Sequence, residues 1–541
     1  MIYYLWRIPY ILYIYKYLIK QCICGGRLTD IVFMFEVHQP YRLDRRAYEK
    51  LLEKALRGNL SYSDLEEAIL DQGLNKLVIE RASSKCYIPA TSIILENIKR
   101  YRDSWKPFKV SYSISGVFIE QVRKWSPKVL DLFHELATTG MVEFIEQTYY
   151  HSLAAFIPPA YDELWEQIME HRKLMKEEFG AEPISIENTE FTYNNDIACF
   201  FYSLGYKVML TEGVDWVLGW RSPNYVYRSY MCDMRVLTRN YRLSDDIGYR
   251  FSDRNWDQYP LTADKYASWL AATPGDIIFI AIDYETFGEH HWPETGIYEF
   301  LKWLPGEILK WQHLVTSIPS EAAFKYPVRD VYDVPPWSTI SWADERDLSA
   351  WLGNHMQHNA FKMLIDLRPY VKAIDKPELT RLWKLLTISD HYYYIATKFG
   401  SIEQVHSYFS PYKNAPDAYA ILVQALSVLA KRIAEEIREN PGKVAYNIIL
   451  PEDKAFHFYL KENVYLGIRA HNAKELIRRL EEVPVESIIF HLHRGDIQAW
   501  LRNMFGLNDL ADELDKVARE TMDAESKRRT LIKILKEYFG S

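Results

Sequence analysis

The sequence predicts an α/β fold built on seven strands, and three observations carry that expectation. Short β-rich runs alternate with longer helical stretches from residue 31 to about 300. Several of these runs are continuously apolar, as strands buried on both faces are. Polar side chains capable of chemistry gather where the runs end. The first two observations fit a parallel barrel or a doubly wound sheet. The third favours the barrel, whose sites are assembled at the carboxyl ends of several strands.

The elements follow in order. The chain has 541 residues, enough for two or three domains of about 100–200 residues each. Residues 1–27 begin "MIYYLWRIPYILYIYKYLIK", apolar and aromatic but interrupted by Arg7, Lys16 and Lys20. Their longest clean apolar run, Ile8 to Tyr15, is far short of the ~20 residues of a membrane span. The ordered regions of a signal peptide are missing too. The segment reads as a poorly ordered extension or a mis-assigned start, with an interfacial anchor as the alternative, and no membrane association is expected.

The strand-like runs are "DIVFMFEV" (30–37), "KVSYSI" (109–114), "MVEFIE" (141–146), "ISIENT" (184–189), "KVMLT" (207–211), "MRVLTR" (234–239) and "DIIFIAID" (276–283). Between them lie crossover helices such as "SPKVLDLFHELATTG" (126–140), which ends on a capping glycine. Beyond residue 300 the period becomes helical, over 343–367, 377–399 and 416–439. "ENPGK" (439–443) reads as a breaker and linker. The rest carries strand-like "KAFHFYL" (454–460) and "SIIFHL" (487–492) among helices. The expected organisation is therefore an extension (1–27), a catalytic barrel (28–305), a helical region completing the cleft (306–440) and a small α/β domain of unassigned role (441–541).

Composition narrows the function. The formal net charge is −8 with no basic stripe, so no nucleic-acid partner is expected. The five cysteines, Cys22, Cys24, Cys86, Cys199 and Cys232, form no disulfide framework and no zinc spacing. They predict a reducing compartment and a cytoplasmic protein. The phosphate-cradling glycine loops and the G-x-S-x-G serine elbow are absent from the sequence.

Carboxylates stand out instead. "ENTEFTYNN" (187–195) holds Glu190 in a polar turn after a buried run, and "IAIDYETFGEHHWP" (280–293) holds Asp283 and Glu285 at alternate positions. Alternation on an extended chain points both to one side. His38, Glu146, Glu190, Glu212 and Asp283 all stand at strand ends. Two acids at one barrel mouth suit glycosidic cleavage: one ionised to attack, one protonated to serve the leaving oxygen. Burial and like charge separate their affinities for the proton.

These stretches resemble glycoside hydrolase family 57, especially its α-amylase-like branch. "HQP" (38–40), "GMVEFIEQTYYHSL" (140–153), "NTEFTYNN" (188–195), "DYETFGEHHW" (283–292) and "WADERDLSAWLGNHMQ" (342–357) look like its signature regions, in order. "TISDHYYYIATKFG" (387–400) and "FHLHRGDIQAW" (490–500) resemble further stretches of that branch. The resemblance implies a (β/α)7 barrel followed by a helical region. It implies Glu190 as nucleophile and Asp283 as general acid/base of a retaining hydrolase of starch- or glycogen-type α-glucans. His38, His151, Glu285, Trp292 and Trp351 become substrate-binding candidates, with His38 as a hydrogen-bond donor to the sugar. The mechanism needs no metal and no cofactor.

The two histidines between Gly288 and Trp292, and the ending "YYHSL", depart from the family's glucanotransferases. 4-α-Glucanotransfer and pullulan cleavage nevertheless fit the same scaffold. Other classes compete: a metal-dependent polysaccharide deacetylase, whose His-x-x-x-His ligand spacing this chain lacks, and a non-catalytic glucan-binding protein.

Overall fold

Strands β1 (Thr29–Val37), β2 (Val110–Ile114), β3 (Val142–Ile145), β4 (Ser185–Glu187), β5 (Val208–Glu212), β6 (Val226–Ser229), β7 (Arg235–Arg239) and β8 (Ile277–Asp283) carry the centre of the protein. The computed structural model describes residues 28–56, 60–397 and 410–540. The extension 1–27 lies outside them. All strands but β6 join in a closed parallel ring, β1-β2-β3-β4-β5-β7-β8 and back to β1. Two seams are thin: β3 meets β4 only through Glu146 and Ile186, and β7 meets β8 only through Arg239 and Phe279. Each of the seven expected runs is one strand of this ring. The fold is the (β/α)7 barrel.

Burial on both faces explains why the runs are continuously apolar. All nine residues of β1 are buried. Val32 and Met34 pack with Ile145, Leu210, Leu237, Phe279 and Ala281 of strands around the ring. Ile31, Phe33, Phe35 and Val37 pack instead with the surrounding helices. A period of two thus sends alternate side chains to the two sides. Gly116, opening the helix Gly116–Trp125 after β2, lets the loop after β3 come close: a Cβ there would lie 2.6 Å from the Tyr149 ring.

Three further strands carry no buried apolar run and were not expected. β6 pairs antiparallel with β7. β9 (Leu314–Thr316) lies beside the amino end of β1. β10 (Val328–Tyr332) pairs with β6 and is largely exposed.

Four expectations are corrected. "SIIFHL" lies in the helix Val485–Arg494, whose buried Ser487, Ile488, His491 and Leu492 have helical spacing. A short apolar run does not distinguish a strand from a buried helix. The hairpin partner of β11 (Phe456–Lys461) is β12 (Val464–Ala470). "ENPGK" is no linker, because Pro441 begins the helix Pro441–Asn447 at the first-turn position that proline favours. Glu146 is not a rim acid: it is fully buried, hydrogen-bonded to His171 and accepting from the Tyr206 hydroxyl at 2.8 Å. Finally, Cys199 and Cys232 are joined in a disulfide, with Cα atoms 5.6 Å apart. The helix Asn195–Ser203 and the turn after β6 bring them together across 33 residues, which spacing alone does not reveal. The cysteines therefore no longer argue for a reducing compartment.

The described residues divide into two compact units, one comprising those within 28–42, 71–354 and 388–411, the other those within 43–70, 355–387 and 412–540. The second contains the helices His355–Ile374, Pro377–Leu385 and Ala415–Glu439 and the β11–β12 hairpin. Among the described residues no helix is long and apolar enough to cross a membrane.

Met34 is fully buried inside the ring. Met34→Ala is expected to lower the unfolding free energy by about 2–5 kcal/mol, read from the denaturant midpoint. An unchanged midpoint would contradict the interior placement.

Candidate active site

A cavity of about 890 Å³ opens at the carboxyl end of the ring. His38, His151, Glu190, Asp283, Glu285, Trp292 and Trp351 all line it. Strand ends and the segments after them therefore bring together residues as far apart in the chain as His38 and Trp351.

Glu190 follows β4 in a single turn, Thr189–Phe191, and both it and Phe191 are left-handed, with φ of 62° and 52°. His151 is left-handed as well, with φ of 49°. Such backbones cost about 1–3 kcal/mol each without glycine and cluster at functional sites. The turn aims the carboxylate at its donors. Trp342 Nε1–H donates to Oε2 at 2.7 Å, and the Ser389 hydroxyl donates to Oε1 at 3.0 Å. His151 Nε2 lies 3.6 Å from Oε1.

Asp283 closes β8. Burial and the negative charge of Glu190 push its carboxyl up to about 7, against the opposing charges of Arg239 and His151. Glu285 is not on an extended chain with it, since the backbone turns over Tyr284–Thr286. Both still face the cavity. Glu285 accepts from the Tyr87 hydroxyl and from Gln39 Nε2 (3.2 Å). Burial and the Asp283 charge raise it to about 8. Gln39 in turn accepts from Arg42 Nη2 at 2.8 Å, so the His-Gln-Pro stretch is tied to both β8 and the following chain.

His38 has its ring nitrogens engaged by the protein. Asp390 Oδ2 lies 3.1 Å from Nε2 and the Ser115 hydroxyl 2.7 Å from Nδ1. Burial would raise Asp390, but the His38 hydrogen bond and nearby imidazoles hold it at about 2. The carboxylate can only accept, so Nε2 is the donor to it and Nδ1 accepts from Ser115. Burial and the neighbouring His151 lower His38 to about 4. A sugar contact through either nitrogen would have to displace one of these partners.

Of the tryptophans, Trp292 is 61% exposed, leaving a ring face open to a ligand. Trp351 is 1% exposed and packs 6.2 Å from the Tyr393 ring, forming wall rather than platform. His291 faces the Ile247 and Gly248 carbonyls at 3.0 and 3.1 Å and the Ser252 hydroxyl at 2.7 Å, a structural set of partners. His290 lines the cavity, lowered by burial to about 3. Glu212 stays beneath the rim, fully buried between Arg239 and Arg346, each donating at 2.9 Å.

Residues 32–335 match the family described as Glycosyl hydrolase family 57. The chain belongs to glycosyl hydrolase family 57. It is 48% identical over 405 residues to a putative α-amylase of Methanocaldococcus jannaschii, covering 73% of this chain and 83% of that one. A family 57 branching enzyme from Thermococcus kodakaraensis shares the fold, with a TM-score of 0.54 and 15% identity over 76% of this chain and 91% of its own. A 4-α-glucanotransferase from Thermococcus litoralis matches with a TM-score of 0.50 and 16% identity, over 75% of this chain and 60% of its own. Residues 421–536 match a second family, one of unknown function.

Several residues of this family 57 site were not singled out from the sequence. Asp390 and Ser389 come from the short helix Ser389–Tyr393, with no strand before them. Trp342 and Arg346 come from an irregular segment. Both stretches lie within the resembling regions quoted above, which was the available signal.

Because the negative charge of Glu190 helps Asp283 hold its proton, removing that charge has a defined sign. Wild-type Asp283 should titrate at about 7, and Glu190→Gln should lower that midpoint. Carboxyl infrared difference spectra against Asp283→Asn measure both. Equal midpoints would contradict the coupling.

Proposed function

We propose that this chain is a retaining α-glucosidic hydrolase of the α-amylase type, acting on starch- or glycogen-like α-glucans. The observation that carries the reading is the contrast between two acids in one cavity. Asp283 keeps a proton up to about pH 7, while Glu190 faces the indole N–H and hydroxyl donors of Trp342 and Ser389. Such a pair supplies the acid and the nucleophile of a double displacement.

Glu190 attacks the anomeric carbon as the glycosidic C–O bond breaks, and Asp283 gives its proton to the departing oxygen. The product is a glycosyl ester on Glu190 and an ionised Asp283. A water then loses its proton to Asp283, attacks the anomeric carbon and displaces Glu190, which restores both groups. Trp342 and Ser389 orient the attacking carboxylate, and the left-handed turn keeps it there. The exposed Trp292 face packs against a pyranose ring. His38 acts through Asp390, which it holds ionised toward the cleft. A sugar hydroxyl in place of the water would give transfer instead.

The name of the Methanocaldococcus jannaschii relative supports an α-glucan substrate. Since Asp283 must start protonated, turnover should be present below about 7 and fall as pH rises through that value. Incubation with maltoheptaose tests the reading. Shorter products alone indicate hydrolysis, and longer ones indicate transfer. Glu190→Ala should reduce either by roughly 10³-fold or more. Undiminished turnover in that variant would remove Glu190 as the nucleophile.

A further inference from the structure

Beside Glu190 and Asp283 lies a second pair of acids that the steps above do not use, of which Glu36 also reaches the cavity wall. Glu36 is the penultimate residue of β1 and Glu187 the last of β4. They are 3% and 1% exposed, and their carboxyl groups hydrogen-bond each other. Neutral donors serve them. Gln147 Nε2 donates to Glu36 Oε1 at 2.9 Å and to Ser113 Oγ at 2.7 Å, and Ser113 donates to Glu187 Oε1 at 2.8 Å. Among the described residues neither forms an ion pair with a lysine or arginine.

The basic group beside them is an imidazole. His151 Nδ1 lies 3.6 Å from Glu36 Oε1 and 2.9 Å from Gln147 Oε1, while its Nε2 faces Glu190. An amide oxygen only accepts, so Nδ1 carries a proton. Negative groups on both sides of the ring then favour a second proton on Nε2. Two carboxyl groups buried in contact do not both ionise.

We propose that Glu36 and Glu187 form one positioning unit that shares a single proton, and that its one remaining negative charge holds His151 as an imidazolium against Glu190. The inference rests on the reading of Glu190 as nucleophile. Other charged groups face the same assembly. Asp283 is the register partner of Glu36, Glu190 and Asp390 face His151, His38 stacks on it with centroids 4.1 Å apart, and Arg239 faces Asp283. Glu36 is pushed well up by burial and by Glu187, and burial raises Glu187 too, against the Glu36 hydrogen bond and the His151 charge, which favour its ionised form. His151, which burial alone would lower, is raised through Glu190. When Glu190 becomes an ester it loses its charge, whereas the buried pair keeps its own and remains the negative neighbour of His151 Nδ1.

Charge counting makes a sharp test. Glu36→Gln or Glu187→Gln alone replaces the shared proton by an amide N–H and leaves one negative charge. The double variant leaves none. His151 then loses its proton at lower pH, Glu190 loses its cationic neighbour, and the acid limb of kcat/KM moves to higher pH. Profiles on maltoheptaose should show the limb unmoved in both single variants. In the double variant it should rise by about one pH unit, with about a tenfold loss at the pH of the wild-type limb. A single variant that shifts about half as far as the double would mean two buried charges, and an unmoved double would mean none. Either result overturns the proposal. If the double variant does not fold, histidine ¹⁵N NMR of the wild type and single variants decides, with the His151 signal assigned by its loss in His151→Gln. Imidazolium at neutral pH is expected, and a neutral ring overturns the proposal. That readout needs no turnover. A charged His151 together with an active Glu190→Ala would therefore sink the nucleophile assignment and leave the buried pair standing.

Discussion

Six carboxyl groups, Glu36, Glu187, Glu190, Asp283, Glu285 and Asp390, crowd one end of the ring, and their mutual repulsion is the constraint on which the site depends. In a partly desolvated cleft this repulsion is far stronger than in water. Each acid meets it differently. Asp390 stays ionised on His38, and Glu285 is raised to about 8 while accepting from Tyr87 and Gln39. Asp283 is raised to about 7, with Arg239 opposing the rise. Glu190 takes its hydrogen bonds from an indole and a hydroxyl. The proposed acid and nucleophile therefore differ in surroundings rather than in chemical type.

The ring creates the crowding. A parallel barrel delivers every strand's carboxyl end to the same face. Strand β1 brings Glu36 and His38 there two residues apart, and Glu36 pairs in register with Asp283 at the end of β8. Strand β4 ends on Glu187, and the left-handed turn after it carries Glu190 toward the cavity. The loop after β3, admitted by Gly116, supplies Gln147 and His151 between the two pairs. Sequence-local geometry thus sets which acid is buried and which faces the cavity.

How much of this the sequence discloses follows from the same physics. The ring strands are legible because burial on both faces demands continuous apolar runs, as in "IVFMF". β6 and β10 escape because they lie off the ring, and β10 is largely exposed. Glu190, Asp283 and His38 are legible as polar residues at the ends of apolar runs. Glu36 was the missed signal, a charge inside a run otherwise fit for the core. Asp390 stands on a helical turn more than 100 residues beyond β8 (390 − 283), where no strand pattern marks it. For His38 the sequence shows the position but not the partners: Asp390 and Ser115 become its neighbours only in the folded chain.

The central claim is that Glu190 attacks carbon while Asp283 moves the proton. Trapping the covalent intermediate tests it most directly. The protein, with Asp283→Ala beside the wild type, is incubated with a 5-fluoro-α-glucosyl fluoride, digested and mapped by mass spectrometry. The account predicts one glycosyl ester, on the peptide carrying Glu190, persisting longest in the Asp283 variant. A label on Asp283 or Glu285, or continued turnover of the reagent with no label on Glu190, would contradict it.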